Sequence, residues 1–134
     1  MPDYCNKDGS LRSSGQNFSY EAMRFPFHVA VDKIWFDPEG SADYLDKIIG
    51  FFGPIYDSFG DEYELDGTQL SGNHSNSWVG SLSGGAMGCS SDTYKVNFFN
   101  HLMSCTLDTG TYSYYNICWY NFGILLASGN FKIW

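Results

Sequence analysis

Basic residues are scarce. Seven Lys and Arg face fifteen Asp and Glu, giving a formal net charge of −8 at pH 7. Nucleic acid and anionic lipid both reward Lys and Arg, so this balance argues against them and leaves a neutral partner open. Long apolar runs are missing too. None approaches the ~18 residues that span a bilayer, so no membrane segment is expected. The four cysteines, Cys5, Cys89, Cys105 and Cys118, form no Cys-x-x-Cys and have no His at ligand spacing. Zinc is therefore not expected. Four Cys permit three disulfide pairings and the sequence does not choose among them; buried free thiols are the expectation. Met1 is followed at once by polar residues, without the charged and apolar regions of a signal peptide. On that pattern the chain reads as intracellular or as a piece of something longer.

What is present is apolar and aromatic. Hydrophobic residues make up 43% of the 134 and charged ones 16%, which excludes a disordered tail. The length suits one domain, 1–134, with a core of its own. Ten Tyr, eleven Phe and four Trp account for 19% of the chain. Most belong in the core. A surplus of aromatics in an acidic, Lys-poor chain also suits a sugar-binding cleft, because an aromatic ring stacks on the apolar face of a pyranose.

Residues 1–19 are polar and rich in Gly, Ser and Asn, and read as loop. A helix is expected over 21–36, with Pro26 tolerated near its first turn and Asp37-Pro38 as its stop. Ser41 reads as the N-cap of a second helix carrying Ala42, Leu45, Ile48, Ile49 and Phe52, halted by Gly53-Pro54. "YELDGTQL" predicts a hairpin over Tyr63–Leu70 with a two-residue turn at Asp66-Gly67. A Gly-rich helix near 77–88 follows, its small residues suited to close packing. Ser91 or Asp92 caps the next helix, and a last one runs from about Tyr114 to Ser128 with Gly129-Asn130 as its stop. Five helices and one small hairpin make the expected class all-α.

Four stretches then coincide with one family. "YEAMRFPFHVAVD" resembles the Tyr-Asp-Ala-x-Arg-x-Pro-Trp-Arg-x-x-x-Asp segment of family 8 glycoside hydrolases, the bacterial endoglucanases, xylanases and chitosanases. "PDYCNKDGS" is similar to the segment that precedes it there. "ELDGTQLSGNHSNSWVG" resembles that family's hairpin and the following helix start. "YYNICWYNFGILLASGNF" is similar to its closing Tyr-Tyr helix. The match covers nearly the whole chain, in order, and corresponds to the family's C-terminal part. It implies a share of an (α/α)6 barrel and inverting hydrolysis of a β-linked polysaccharide. No metal or organic cofactor is implied. For the full-length family a secreted or periplasmic location is implied.

Inverting hydrolysis needs two carboxyl groups, one to protonate the leaving oxygen and one to take a proton from the attacking water. The resemblance places the general base at Glu21. It must stay ionised, and Arg24, three residues on, is spaced to pair with it. Tyr20 would set a phenol beside the same water and sugar. Glu in place of the family's Asp adds one methylene, moving the carboxylate by about a bond length, a scale that matters to catalysis. The bland alternative is an ordinary Glu–Arg pair at a helix start. No motif like the family's general-acid segment occurs in these residues. Arg24, Tyr112, Tyr114 and Tyr115 are candidate sugar contacts, with core or rim packing as the alternative for the tyrosines. His28 reads as a packed or surface residue and His74 as part of a cap.

Three functions stay open at this level. One is a glycosidase domain or the C-terminal segment of one. The others are a non-catalytic carbohydrate-binding remnant and a helical interaction module. In a part-ring the end helices would leave apolar flanks, drawn from Phe25, Phe27, Trp119, Phe122 and Leu125. Such flanks predict either self-association or a need for the N-terminal half as a partner.

Overall fold

The computed structural model describes residues 1–133, and among these the class is all-α with one small hairpin. The helices are α1 (Arg24–Phe36), α2 (Ser41–Phe52), α3 (Asn76–Met87), α4 (Asp92–Ser104) and α5 (Ser113–Ala127). A short 3₁₀ turn, Gly53–Ile55, extends α2. The hairpin strands β1 (Glu62–Tyr63) and β2 (Gln69–Ser71) pair antiparallel. No helix among the described residues is long and apolar enough to cross a membrane.

Everything is arranged around α3. Each of its residues from Asn76 to Ala86 is buried, which explains its run of Gly and Ser. Gly80 lies directly against the backbone of α5: a Cβ there would stand 2.5 Å from the Tyr120 Cα. Gly123 of α5 backs onto Gly80 in return, 2.7 Å from its Cα by the same measure. The small residues therefore allow close approach of backbones, as the sequence suggests. Ser81 and Ser83 are fully buried and satisfied by donating to the carbonyls of Met23 and Phe98. Trp78 anchors the other side of α3, packed edge-on to Phe18 and Phe52 at ring separations of 5.3 and 5.9 Å. Phe59, Phe98, Leu45, Ile49, Leu82 and Leu102 complete this core, all without exposed surface.

Several boundaries differ from the expectation, each for a local reason. α1 begins at Arg24, not at 21. A helix running from 21 would need an N–H from Pro26 to the Ala22 carbonyl, and proline has none. Phe25 takes that carbonyl instead, at 3.1 Å, and residues 20–23 form a separate turn. Ser41 is the first residue of α2, not its cap; Gly40, at φ +83°, takes that place while the Ser41 hydroxyl donates to the Pro38 carbonyl. The hairpin loop has three residues, not two. Gly67 N–H donates to Glu64 O and Glu64 N–H to Thr68 O, so the loop is Leu65-Asp66-Gly67. A two-residue turn across Asp66-Gly67 would require positive φ at Asp66. Asp66 avoids it: its carboxylate accepts the Thr68 N–H, and only Gly67 (φ +96°) enters the left-handed region.

The helix stops fall where expected. Asp37 closes α1 in the left-handed region (φ 51°), a conformation Asp tolerates better than most residues. Ser91 caps α4, its hydroxyl accepting the Tyr94 N–H. Gly129 (φ +71°) closes α5. Of the predicted apolar flank, Phe25, Phe122 and Leu125 are exposed and Trp119 is half-buried, but Phe27 is not part of it. Its ring is buried against Trp119, Phe122 and Phe131. The cysteines are free, yet Cys5 is exposed and Cys105 and Cys118 are half-buried; only Cys89 is the buried thiol the sequence suggests.

Candidate active site

The turn ahead of α1 is held from a distance. One oxygen of the Asp3 carboxylate accepts the N–H groups of Ser19, Glu21 and Ala22 at 2.9, 3.2 and 2.8 Å. This is the work of a helix cap done by a residue sixteen or more positions away, so no local pattern announces it. It fixes the backbone of Glu21 just before α1 starts.

Glu21 and Arg24 then meet in a two-pronged pair. Arg24 Nη1 lies 2.8 Å from Glu21 Oε2 and Nη2 lies 2.9 Å from Oε1. Both side chains remain more than a third exposed, so the pair contributes only about 0–1 kcal/mol of stability and its consequence is geometric. Arg24 is itself fixed by α5. Its Nε donates to the Tyr115 hydroxyl at 3.2 Å, and that hydroxyl donates on to the Tyr20 carbonyl at 3.2 Å. The guanidinium lies 5.6 Å from the centre of the Tyr115 ring and 6.0 Å from that of Trp119. Burial works to lower the Arg24 pKa, but the Tyr115 hydrogen bond and the Glu21 charge outweigh it, so the group is held more firmly protonated than usual.

Tyr20 closes the other side. Its hydroxyl donates to the buried Asp61 carboxylate, which also accepts from Asn73 Nδ2 at 2.6 Å. Burial, reinforced by the Asp61 charge, pushes the phenol up to about 12, so Tyr20 is a neutral donor at any ordinary pH. Tyr20, Glu21, Arg24, Asn73, Tyr112, Tyr115 and Asn116 together line a concave space of about 490 Å³. A polar floor with aromatic walls suits a hydroxyl-rich ligand with apolar ring faces.

Of the residues singled out in the sequence, the fold gathers Tyr20, Glu21, Arg24, Tyr112 and Tyr115 at this cleft. Tyr112 stands at its rim, 77% exposed. Tyr114, two residues further along, is 83% exposed and does not line the cleft. Asn73 and Asn116 were not anticipated. The Asn116 amide donates to Asp108, which accepts the Asn76 N–H and so caps α3 from a distance. His74 makes no cap; its Nδ1 lies 2.6 Å from the Phe59 carbonyl. His28 lies in α1 against the Phe27 and Trp119 rings, and burial, with Arg24 adding to it, lowers its pKa.

This arrangement has close relatives of known structure. The chain superposes on the crystal structure of a family 8 glycoside hydrolase xylobiose complex from Teredinibacter turnerae with a TM-score of 0.90 and 27% identity, over 98% of this chain and 35% of that one. The chain matches the C-terminal part of a family 8 glycoside hydrolase. It is also 32% identical over 133 residues to endoglucanase 2 of Ruminiclostridium josui, across 98% of this chain and 29% of that protein. A reducing end xylose-releasing exo-oligoxylanase of Halalkalibacterium halodurans is 31% identical over 140 residues, covering 99% and 36% respectively. No protein-family model matches the sequence. The chain thus spans about a third of the length of the curated relatives it matches. Its five helices and hairpin match a portion of the family 8 (α/α)6 barrel, with α3 buried at the centre and exposed apolar residues on α4 and α5.

Proposed function

We propose that this chain forms the base-bearing wall of an inverting glycoside hydrolase site that acts on a β-linked polysaccharide in the manner of an endo-β-1,4-glucanase. The observation that carries the reading is the Glu21 carboxylate, clamped by both terminal nitrogens of Arg24 at the mouth of an aromatic cleft. A general base needs an ionised carboxylate in fixed orientation. Arg24 fixes the orientation of that carboxylate, and Tyr115 fixes the orientation of Arg24. A water held between Glu21 and the anomeric carbon would lose its proton to Glu21 as it attacks. Tyr20, neutral and anchored on Asp61, would donate a hydrogen bond to that water or to a sugar hydroxyl.

The general acid is the other requirement, and inverting enzymes hold the two carboxyls roughly 6.5–9.5 Å apart. Glu21 is the one carboxylate lining the cleft among the described residues. Asp61 is buried and committed to Tyr20 and Asn73, so it does not meet a glycosidic oxygen. We assign the acid to a segment outside these 134 residues, whose side chains would face Glu21 across the bound sugar. General acid assistance is worth about 10²–10⁴-fold, so the chain alone should turn over polysaccharide poorly or not at all.

Binding tests the cleft without requiring turnover. Cellohexaose or xylohexaose should change the tryptophan fluorescence through Trp119, whose ring centre lies 6.0 Å from the Arg24 guanidinium, and Arg24→Ala should weaken that response. Failure of both sugars to bind would favour the reading of a helical interaction module.

A further inference from the structure

We propose that His74, His101 and Cys105 form a zinc site that fastens the loop carrying Asn73 and His74 to the end of α4. Their ligating atoms all lie within 4.8 Å of one another. His101 lies in the last turn of α4 and Cys105 at its C-cap, so i, i+4 spacing sets both on one side of the helix end. The fold then delivers His74 from the loop ahead of α3. All three are half-buried, which leaves a route for an ion to enter.

Proton counting favours an ion over a simple hydrogen-bonded cluster. His74 Nδ1 faces a carbonyl oxygen at 2.6 Å, so it carries the proton and donates, leaving Nε2 a bare lone pair in the neutral ring. That lone pair points at His101 Nε2, 2.8 Å away. Cys105 Sγ also faces His101 Nε2, at 3.5 Å. Without an ion, a single Nε2 proton on His101 must be shared between the His74 lone pair and Cys105 Sγ. A cation with two imidazoles and a thiolate satisfies all three groups together. The Phe59 carbonyl acts as the outer partner that metal-bound imidazoles usually have, fixing tautomer and ring direction. The rings are further held by Phe59, 4.4 Å from His74, and Tyr56, 6.1 Å from His101.

The ligand set matches zinc. Two nitrogens and one sulfur at zinc bond lengths, with tetrahedral angles, stand roughly 3.3 Å (N···N) and 3.6 Å (N···S) apart. The His101–Cys105 separation already meets this, the two imidazoles need part by about half an ångström, and His74 and Cys105, whose ligating atoms lie within 4.8 Å, would draw together around the ion. Water would fill the fourth position. The absence of Cys-x-x-Cys does not exclude such a site, because His101 and Cys105 are paired by a helix end and His74 comes from 27 residues earlier.

The reduced, metal-free 134-residue chain can be titrated with Co²⁺ as a spectroscopic stand-in for zinc. The proposal predicts a thiolate-to-cobalt charge-transfer band that saturates at one ion per chain and is displaced by Zn²⁺. Cys105→Ser should abolish the band and Cys5→Ser should leave it. Alkylation of the unmutated chain, followed peptide by peptide, guards against a variant that misfolds. Zinc should slow modification of Cys105 by about tenfold or more while leaving Cys5 unaffected, since only the free thiolate attacks. A chain that shows no band at equimolar Co²⁺, a band retained in Cys105→Ser, or a Cys105 alkylation rate indifferent to zinc would each overturn the site.

Discussion

Two glycine-to-alanine substitutions in helix interiors should move stability in opposite directions. In α2, an added Cβ at Gly50 meets nothing within 4 Å. There the substitution should return the ordinary helix preference for Ala over Gly, ~0.8–1.0 kcal/mol. In α3, an added Cβ at Gly80 would stand 2.5 Å from the Tyr120 Cα and 2.6 Å from the Trp119 carbonyl carbon, where ordinary contact begins at 3.4 Å. These are backbone atoms of α5 and cannot rotate aside. The helices must part by about 1 Å, which loosens the Gly123 contact beside it. Overpacking of this kind costs about 1–3 kcal/mol, and rigid backbone places it near the upper end. After the propensity gain, Gly80→Ala should lose about 2 kcal/mol. Urea denaturation followed by circular dichroism reads both. With a slope near 2 kcal/mol per molar, the midpoint should rise by roughly 0.5 M for Gly50→Ala and fall by roughly 1 M for Gly80→Ala. Equal shifts, or a stabilised Gly80→Ala, would refute the close α3–α5 crossing.

Three further outcomes follow from particular side chains. The Tyr44 hydroxyl is buried without a partner, and burial pushes its pKa up to about 12. Folding therefore favours the neutral phenol: the stability it contributes is intact below the ordinary pKa near 10 and is lost as pH rises towards 12. Tyr44→Phe should stabilise by about 1 kcal/mol at neutral pH and shrink that alkaline loss, as melts across the pH range would show. Asp3→Ala removes the acceptor for three N–H groups and should cost about 0.5–2 kcal/mol; an unchanged melting temperature would contradict its capping role. Exposed Phe25, Val96, Phe99, Met103, Phe122 and Leu125 should make the free chain self-associate, and sedimentation as a monodisperse monomer with a reversible melt would count against the part-barrel account.

Local signals carried most of the fold. The apolar spacing of 42–52, the Ser91 cap and the Gly129 stop are short-range features, and each element lies close to where they put it. The spacing of Glu21 and Arg24 likewise made their pairing legible. What escaped was carried by distant partners. Asp3 and Asp108 serve helix starts that neither adjoins in sequence. Asn73, from the loop ahead of α3, and Asn116, from the first turn of α5, both line the cleft, and nothing in their own neighbourhood marks them. His74 looked like a cap residue among Ser and Asn; its true neighbours, Phe59 and His101, come from two other elements. The early start assigned to α1 failed for a more local reason, the missing N–H of Pro26, which decides where the helical ladder can begin.

The most direct measurement is hydrolysis by this chain completed with the acid-bearing N-terminal part of a family 8 endoglucanase, set beside the chain alone and beside the same assembly carrying Glu21→Gln. Cellohexaose and xylohexaose serve as substrates, with product configuration followed by NMR. The account predicts little turnover by the chain alone. The assembly should release product of inverted configuration, at a rate that falls by about 10²–10⁴-fold on Glu21→Gln while sugar binding persists. Turnover that survives Glu21→Gln unchanged would contradict the account, because the base would then lie elsewhere.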